Sequence, residues 1–378
     1  MASVTPHQRK ISAIVKNLLA WFSENARDLP WRRTRDPYGI WVSEIMLQQT
    51  QVKTVLPFWE RWMRALPTIE AAARANSHTI HKLWEGLGYY TRVRNLQKAA
   101  QLILQKHDGQ FPKRFEDILA LPGIGRYTAG AISSIAFNQP EPILDGNVMR
   151  VLTRIFGIAE NPREKETNQR LWRIAEELVS DSKLKNQKSK SACSHLNQSL
   201  MELGALVCLP RNPQCASCPV KKLCVAFKEG RVAELPNLEK REKATARTFV
   251  AFVVEHDGRF LVRQRPEGVV NAHLWEFPNI EILSQNGDEK NGTVGNEHAA
   301  FARAAEDLGI EFKNVRRICS VKHSITRYRM TLEAFGMKSR KMPRISDAVW
   351  LSHSRLDSLP FTSAHRKILV AAGIRHGV

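Results

Sequence analysis

Long hydrophobic runs are missing from this 378-residue chain, and nothing in it approaches the ~18 consecutive apolar residues that cross a bilayer. The opening Met1-Ala2-Ser3-Val4-Thr5-Pro6-His7 lacks the basic region, apolar core and small-residue cleavage site of a secretory signal. The expectation is a protein without membrane association that stays in the cytoplasm. Cysteine is scarce: six residues in all argue against a disulfide framework and leave thiols free for metal binding or catalysis in a reducing compartment. Acidic residues are short as well, with 37 Asp+Glu against 57 Lys+Arg and a formal net charge of +20. That excess favours a polyanionic partner, nucleic acid first; a merely soluble basic surface is the plainer alternative. Neither repeats nor a disordered composition are evident, since 43% hydrophobic residues supply real cores. The length predicts two or three domains at roughly 100–200 residues each.

The first two-thirds read as helices. Ile11, Ile14, Val15, Leu18, Leu19 and Phe22 recur at i, i+3, i+4 and i+7, the mark of one buried helical face. Similar patterns follow around Trp41–Trp62, Ile69–Ala75, Ile80–Leu87, Arg92–His107, Phe115–Leu121, Thr128–Phe137, Val148–Phe156, Gln169–Val179 and His195–Val207, punctuated by Gly and Pro. The Lys183–Lys190 run reads as a solvated loop. The expected organisation is an all-helical domain over 1–228 including a cysteine loop (208–224), a charged linker over 229–247, and a smaller α+β domain over 248–378. Strands are expected at Thr248–Glu255 and Arg259–Arg263 around an Asp257-Gly258 hairpin, at Val315–His323, Tyr328–Gly336 and Ala348–Leu351, with helices at Ala299–Leu308 and Ser363–Ala372.

Four thiols fall within seventeen residues, Cys208-x6-Cys215-x2-Cys218-x5-Cys224, a spacing able to hold zinc or a 4Fe-4S cluster; zinc favours two C-x2-C pairs, and only one is present. Cys193 and Cys319 stand alone and read as packed thiols. Leu121-Pro122-Gly123-Ile124-Gly125-Arg126-Tyr127 sets a glycine-rich turn before a helix, where Gly123 and Gly125 let backbone N–H groups approach an anion such as a DNA phosphate; a plain interhelical turn is the alternative. Glu44 is a carboxylate in an otherwise apolar-to-amide helix. Burial would raise its pKa and make it a proton donor near neutrality, whereas a helix-dipole role is the plainer reading. Asp145 or Asn147, in Leu144-Asp145-Gly146-Asn147-Val148, could be no more than a helix N-cap.

Together, Trp31-Arg32, Glu44 through Thr50, Gly86-Leu87-Gly88-Tyr89-Tyr90, the Leu121–Gly130 string, Leu144 through Val148 and the cysteine spacing resemble the helix-hairpin-helix DNA glycosylases, and within them the adenine DNA glycosylases of the MutY family. The C-terminal part resembles that family's Nudix-related domain. The resemblance implies excision of adenine mispaired with 8-oxoguanine or guanine in double-stranded DNA by a monomer, and a 4Fe-4S cluster on Cys208, Cys215, Cys218 and Cys224. It also implies roles. Glu44 would be the general acid, and Asp145 the stabiliser of an oxocarbenium-like sugar. Tyr127 and Asn147 would position the nucleophilic face, and Gln198, Arg32 and Trp31 would shape the adenine pocket. Gln49 would be the wedge filling the gap left by the extruded base, with Gln48 beside it and Tyr89 supporting the pair; Gln48 and Tyr90 could simply pack.

Position 127 separates close relatives. The endonuclease III branch carries a lysine there that forms a Schiff base and cleaves the strand; Tyr127 cannot, so a monofunctional glycosylase is expected. Two departures stand out. The family's Phe-Ser-His lesion-reading element is matched by Ile325-Thr326-Arg327, which keeps a hydroxyl and donors but loses the aromatic. The stretch Ala302–Gly309 lacks the leading glutamate of the Nudix hydrolase run, so DNA binding and not nucleotide hydrolysis is expected there. The rivals are a pyrimidine-lesion glycosylase with lyase activity, a non-catalytic DNA-binding metalloprotein that would leave Glu44 and Asp145 without purpose, and a nucleotide hydrolase.

Overall fold

The computed structural model describes residues 5–181, 192–239, 244–282, 293–325 and 328–374. The chain divides into two units, Met1–Arg74 with Arg94–Lys240, and Ala75–Val93 with Arg241–Val378.

The first unit is helical. Helix α1 (Pro6–Asn25) begins where the Thr5 side chain accepts a hydrogen bond from the Gln8 amide and Pro6 sits in the first turn, a combination that satisfies one orphan donor and removes another. It is followed by α2 (Pro37–Leu47), α3 (Val52–Ala65), α4 (Ile69–Arg74), α5 (Ser77–Trp84, in the second unit), α6 (Thr91–Lys106), α7 (Phe115–Leu119), α8 (Arg126–Phe137), α9 (Gly146–Phe156), α10 (Lys165–Val179), α11 (Ala192–Leu206) and the short α12 (Val225–Lys228). The Ile11, Ile14, Val15 and Leu18 stripe of α1 packs into one core with Val148, Val151 and Leu152 of α9 and Leu196, Leu200 and Leu203 of α11. Burying each such side chain is worth about 1.5–3 kcal/mol, so the first and last long helices are held to one another directly.

Helix α2 is buried on almost every side, from Tyr38 through Met46, as expected of a helix that is apolar all round. Its start is set by Asp36, whose side chain accepts from the Tyr38 and Gly39 amides, and its interior neighbour Trp62 donates to the Tyr38 hydroxyl at 2.9 Å. The helical pattern expected through Trp41–Trp62 is broken: α2 stops at Leu47, Gln49 adopts φ 56°, and α3 starts at Val52. That left-handed residue turns the chain and leaves Gln49 exposed. Within the stretch expected to link the domains, Leu235 is buried against Cys224 and Ala226, and its carbonyl accepts from Arg154 Nε at 2.8 Å.

The second unit is built on a mixed sheet of β1 (Thr245–His256), β2 (Arg259–Gln264), β3 (Trp275–Glu276), β4 (Asn279–Ile282), β5 (Phe312–Ile325), β6 (Tyr328–Ser339) and β7 (Ala348–Ser352). The order is β3-β2-β1-β6-β5, with β4 also on β1 and β7 also on β2. Asp257 and Gly258 both take positive φ, which matches the twist of the β1–β2 hairpin. The long β1–β6 pairing is parallel, with Val250 opposite Glu333. Alternation along β1 serves two cores: Val250, Phe252 and Val254 face Ala300 and Ala304 of α13 (Thr293–Leu308), while Ala251 and Val253 share a core with Leu356 of α14 (His353–Ser358) and Ile368 and Leu369 of α15 (Ser363–Ala371). The sheet is therefore covered on both faces. Residues Ala75–Val93 are tied into this unit: Glu85 accepts from the Phe361 amide at 3.1 Å, and Lys82 Nζ donates to the Asp357 carbonyl at 2.7 Å.

Candidate active site

A cavity of about 860 Å³ opens in the helical unit between α2, the start of α8, the start of α9 and α11. Its walls include Trp31, Arg32, Glu44, Gln48, Gln49, Tyr127, Asp145, Asn147 and Gln198, so nine residues singled out from the sequence converge on one space. Trp31 is buried and meets Trp59 edge-on at 5.9 Å. Gln198 is anchored by its amide on Ser194 Oγ at 3.0 Å.

Glu44 lies on the inward face of α2, only 5% exposed. Tyr127 Oη donates to its Oε2 at 2.9 Å. Burial pushes the Glu44 carboxyl up to about 7; the tyrosine hydrogen bond holds it down in part, the Asp145 charge raises it further and Arg32 opposes. A carboxyl poised there exchanges a proton at neutral pH. Tyr127 itself is held well above its ordinary value by burial and then by the neighbouring carboxylates, so it stays a donor. Its hydroxyl has a second acceptor, Met201 Sδ, at 3.2 Å.

Asp145 does two jobs. Its Oδ1 accepts from the Val148 amide at 2.7 Å, capping α9, and its Oδ2 accepts from Asn147 Nδ2 at 3.0 Å. Burial raises its pKa and these hydrogen bonds resist. The N-cap reading of Asp145 is thus correct as far as it goes, and the same fixed carboxylate faces the cavity. Asn147 is held in turn by Arg150, whose Nη2 reaches its Oδ1 at 2.8 Å and the Gly204 carbonyl at 2.8 Å, while Nε reaches the Cys208 carbonyl at 2.7 Å.

Sequence reasoning missed Glu202. This carboxylate, with a fully buried side chain, receives Arg27 Nε at 2.8 Å and Nη2 at 2.7 Å and Arg32 Nη1 at 3.0 Å and Nη2 at 2.9 Å. Burial alone would raise its pKa, but the two guanidinium groups outweigh it and hold the carboxyl at about 2. Arg32 is therefore oriented by an ion pair. The available signal was spacing: Gln198, Met201 and Glu202 share one face of α11 at i, i+3 and i+4.

Gly123 lies at φ 79°, where an added Cβ would meet the Asn95 Cβ at 2.7 Å, so only glycine fits this turn. Gly125 caps α8 with an open approach and no side-chain cap, leaving backbone N–H groups available to an anion. Tyr89 belongs to the second unit, at φ 49° and 46% exposed. Thr326, Arg327 and the Lys183–Lys190 run lie outside the described residues.

The four cysteines of the 208–224 loop line one small cavity with Val151, Ile155, Leu203 and Val220. Arg154, 2% exposed, organises the loop by donating to the Leu209 carbonyl at 2.7 Å and lying 3.3 Å from Cys208 Sγ. Among the described residues no three His, Cys, Asp or Glu side chains form a group that could hold a single metal ion. Four soft thiols around one apolar space are nevertheless a donor set suited to a soft metal centre.

This fold and site define the class. Residues 42–177 match the HhH-GPD superfamily of base excision DNA repair proteins and residues 249–371 match the NUDIX domain. The adenine DNA glycosylase of Rattus norvegicus is 32% identical over 95% of this chain and 77% of its own length; that of Mus musculus is 35% identical over 74% of this chain, which spans 64% of the mouse protein. The chain belongs to the adenine DNA glycosylase family. Among solved structures, a thermostable thymine-DNA glycosylase superposes on 60% of this chain and all of its own, at TM-score 0.53 and 30% identity.

Proposed function

We propose that this protein is a monofunctional adenine DNA glycosylase that binds duplex DNA, extrudes an adenine mispaired with 8-oxoguanine or guanine, and hydrolyses its N-glycosidic bond. The observation that carries the reading is Glu44: a buried carboxyl poised at about 7, hydrogen-bonded to Tyr127, in a cavity it shares with Asp145. The cavity is within the usual size range for ligand pockets, ~300–1,000 Å³, and accepts a flipped base. There Glu44 gives its proton to adenine N7; the C1′–N9 bond breaks with its electron pair leaving on the base, and the deoxyribose becomes an oxocarbenium. The Asp145 carboxylate, pinned by Val148 and Asn147, stabilises that charge until water adds and leaves an abasic site. Arg32, fixed on Glu202, Trp31 and Gln198 orient the base. With tyrosine at 127 there is no amine for a Schiff base, so strand cleavage is not part of the reaction.

Gln49, exposed at a left-handed turn beside the cavity, is the wedge that fills the duplex gap. Gly123 and Gly125 bring backbone N–H groups to a DNA phosphate, and the net charge of +20 supplies sequence-independent affinity. Cys208, Cys215, Cys218 and Cys224 would hold a 4Fe-4S cluster; when bound, such a cluster cross-links the loop to the helical core. Lesion reading opposite the adenine is assigned to the Ile325-Thr326-Arg327 stretch with Tyr89.

Glu44→Gln tests the core of this reading. The amide keeps the shape but cannot donate the proton, so single-turnover excision should fall at least ~10²–10⁴-fold while duplex affinity changes little. Wild-type-like excision by the variant would sink the assignment.

A further inference from the structure

Tyr127 has one hydroxyl proton and two acceptors: Glu44 Oε2 at 2.9 Å and Met201 Sδ at 3.2 Å. We infer that Met201 is a positioning residue for proton donation, an alternative acceptor to which Tyr127 turns its hydroxyl when Glu44 carries its proton. The inference rests on the reading of Glu44 as the acid.

The geometry makes the two acceptors compete. While Glu44 is ionised, its carboxylate is by far the stronger acceptor, and the Tyr127 proton points to it. Once Glu44 is protonated it keeps only the weaker acceptor capacity of a neutral carboxyl, and a hydroxyl with no second acceptor would keep biasing Glu44 towards the ionised form. The thioether, polarisable and weakly accepting, gives the hydroxyl somewhere to go. Met201 follows Gln198 and precedes Glu202 on α11 and lines the same cavity as Glu44, so the sulfur is delivered by the helix that also orients Arg32. The charged and titratable groups around Glu44 are Tyr127 from α8, Asp145 before α9 and Arg32 from the turn before α2. None of them is removed by changing Met201, so its effect is separable.

The test is the pH profile of single-turnover excision by Met201→Leu, using excess full-length enzyme and a duplex with adenine opposite 8-oxoguanine. Without sulfur, the tyrosine proton is committed to Glu44, the charged carboxylate is favoured, and the alkaline limb moves to lower pH. A displacement of ~0.5–1 pH unit lowers the rate about 3- to 10-fold on that limb and leaves the acid plateau in place. Following the Glu44 carboxyl by ¹³C NMR reads the same displacement even if the variant turns over slowly. In a Tyr127→Phe background, Met201→Leu should then shift nothing. An unmoved limb and carboxyl titration in Met201→Leu overturn the inference, as does a uniform loss at every pH, which would mark pocket shape alone, or an equal shift in the Tyr127→Phe background. Retained excision by Glu44→Gln is a different failure, that of the reading on which the inference rests.

Discussion

Gly204→Ala places one methyl group at the seam between α11 and the start of α9. An added Cβ at 204 would stand 2.6 Å from Asn147 Cβ and 3.1 Å from both its Cα and its carbonyl oxygen. These are main-chain-anchored atoms, so no rotamer change relieves the clash. Opening the shortest contact to the 3.4 Å of ordinary packing means separating the two elements by about 0.8 Å (3.4 − 2.6), a displacement that cores absorb at a cost of roughly 1–3 kcal/mol. The segment that moves carries Asp145 and Asn147, and the hydrogen bonds from Arg150 to Asn147 and to the Gly204 carbonyl, both 2.8 Å, span the seam being widened. Catalytic groups misplaced by about 1 Å lose on the order of 10²-fold in rate, so single-turnover excision should fall roughly 10- to 100-fold. The assay is excision with enzyme in excess, run beside urea denaturation to measure the stability loss. A folded variant excising at the wild-type rate would refute the claim that the Asp145–Asn147 position limits the reaction; a rate loss that merely tracks the unfolded fraction would refute it too.

Other outcomes follow from the second unit and the cysteine loop. His365, 3% exposed, is held at about 4 by burial, with Glu276 opposing, and its Nδ1 accepts from the Phe277 amide at 3.1 Å. Because its folded pKa lies below the unfolded value of 6.5, its contribution is complete above that pH and is lost as pH falls towards 4, to a total of roughly 3 kcal/mol. Glu44, raised from 4.5 to about 7, works in the opposite sense over much the same window, so the measurement is the difference between wild type and His365→Gln in urea denaturation from pH 7 to 4.5; no difference in slope would contradict the burial argument. Cys218→Ser should lower soluble yield and duplex affinity together, and iron and sulfide analysis of active wild-type protein should find both elements; their absence would remove the cluster from the proposal.

Local features of this chain are legible in its sequence because they are written at short range. The α1 stripe, the Asp257-Gly258 hairpin and the cysteine spacing each lie within about twenty residues, and the cap at Asp145 needs no distant partner to be seen. Glu44 stands out for the same reason, as one charge in an apolar helix. What escapes is partnership. The break at Gln49 interrupts an apolar pattern that continues on both sides, because a left-handed residue leaves no periodic trace. The parallel β1–β6 pairing joins strands more than seventy residues apart, and strands as short as Trp275–Glu276 carry no alternation to count. Glu202 reads as an ordinary helix-surface acid until Arg27 and Arg32 are seen to fold over it. Buried ion pairs of this kind are invisible locally, since each member alone looks like a solvated side chain.

The pairing of α1 with α11 sets a timetable for synthesis. The Ile11–Leu18 face emerges well before the Leu196, Leu200 and Leu203 surface that packs against it, and Arg27 waits across 175 positions for Glu202. At ~5–20 residues per second that is an interval of roughly 10–35 s in which an apolar helix stripe and an unneutralised guanidinium pair are open on the nascent chain. A message truncated anywhere before the codons for α11 therefore yields no fractional enzyme. It yields an N-terminal helix whose core face lacks the α11 side of its packing, a substrate for chaperones and proteases and not for DNA.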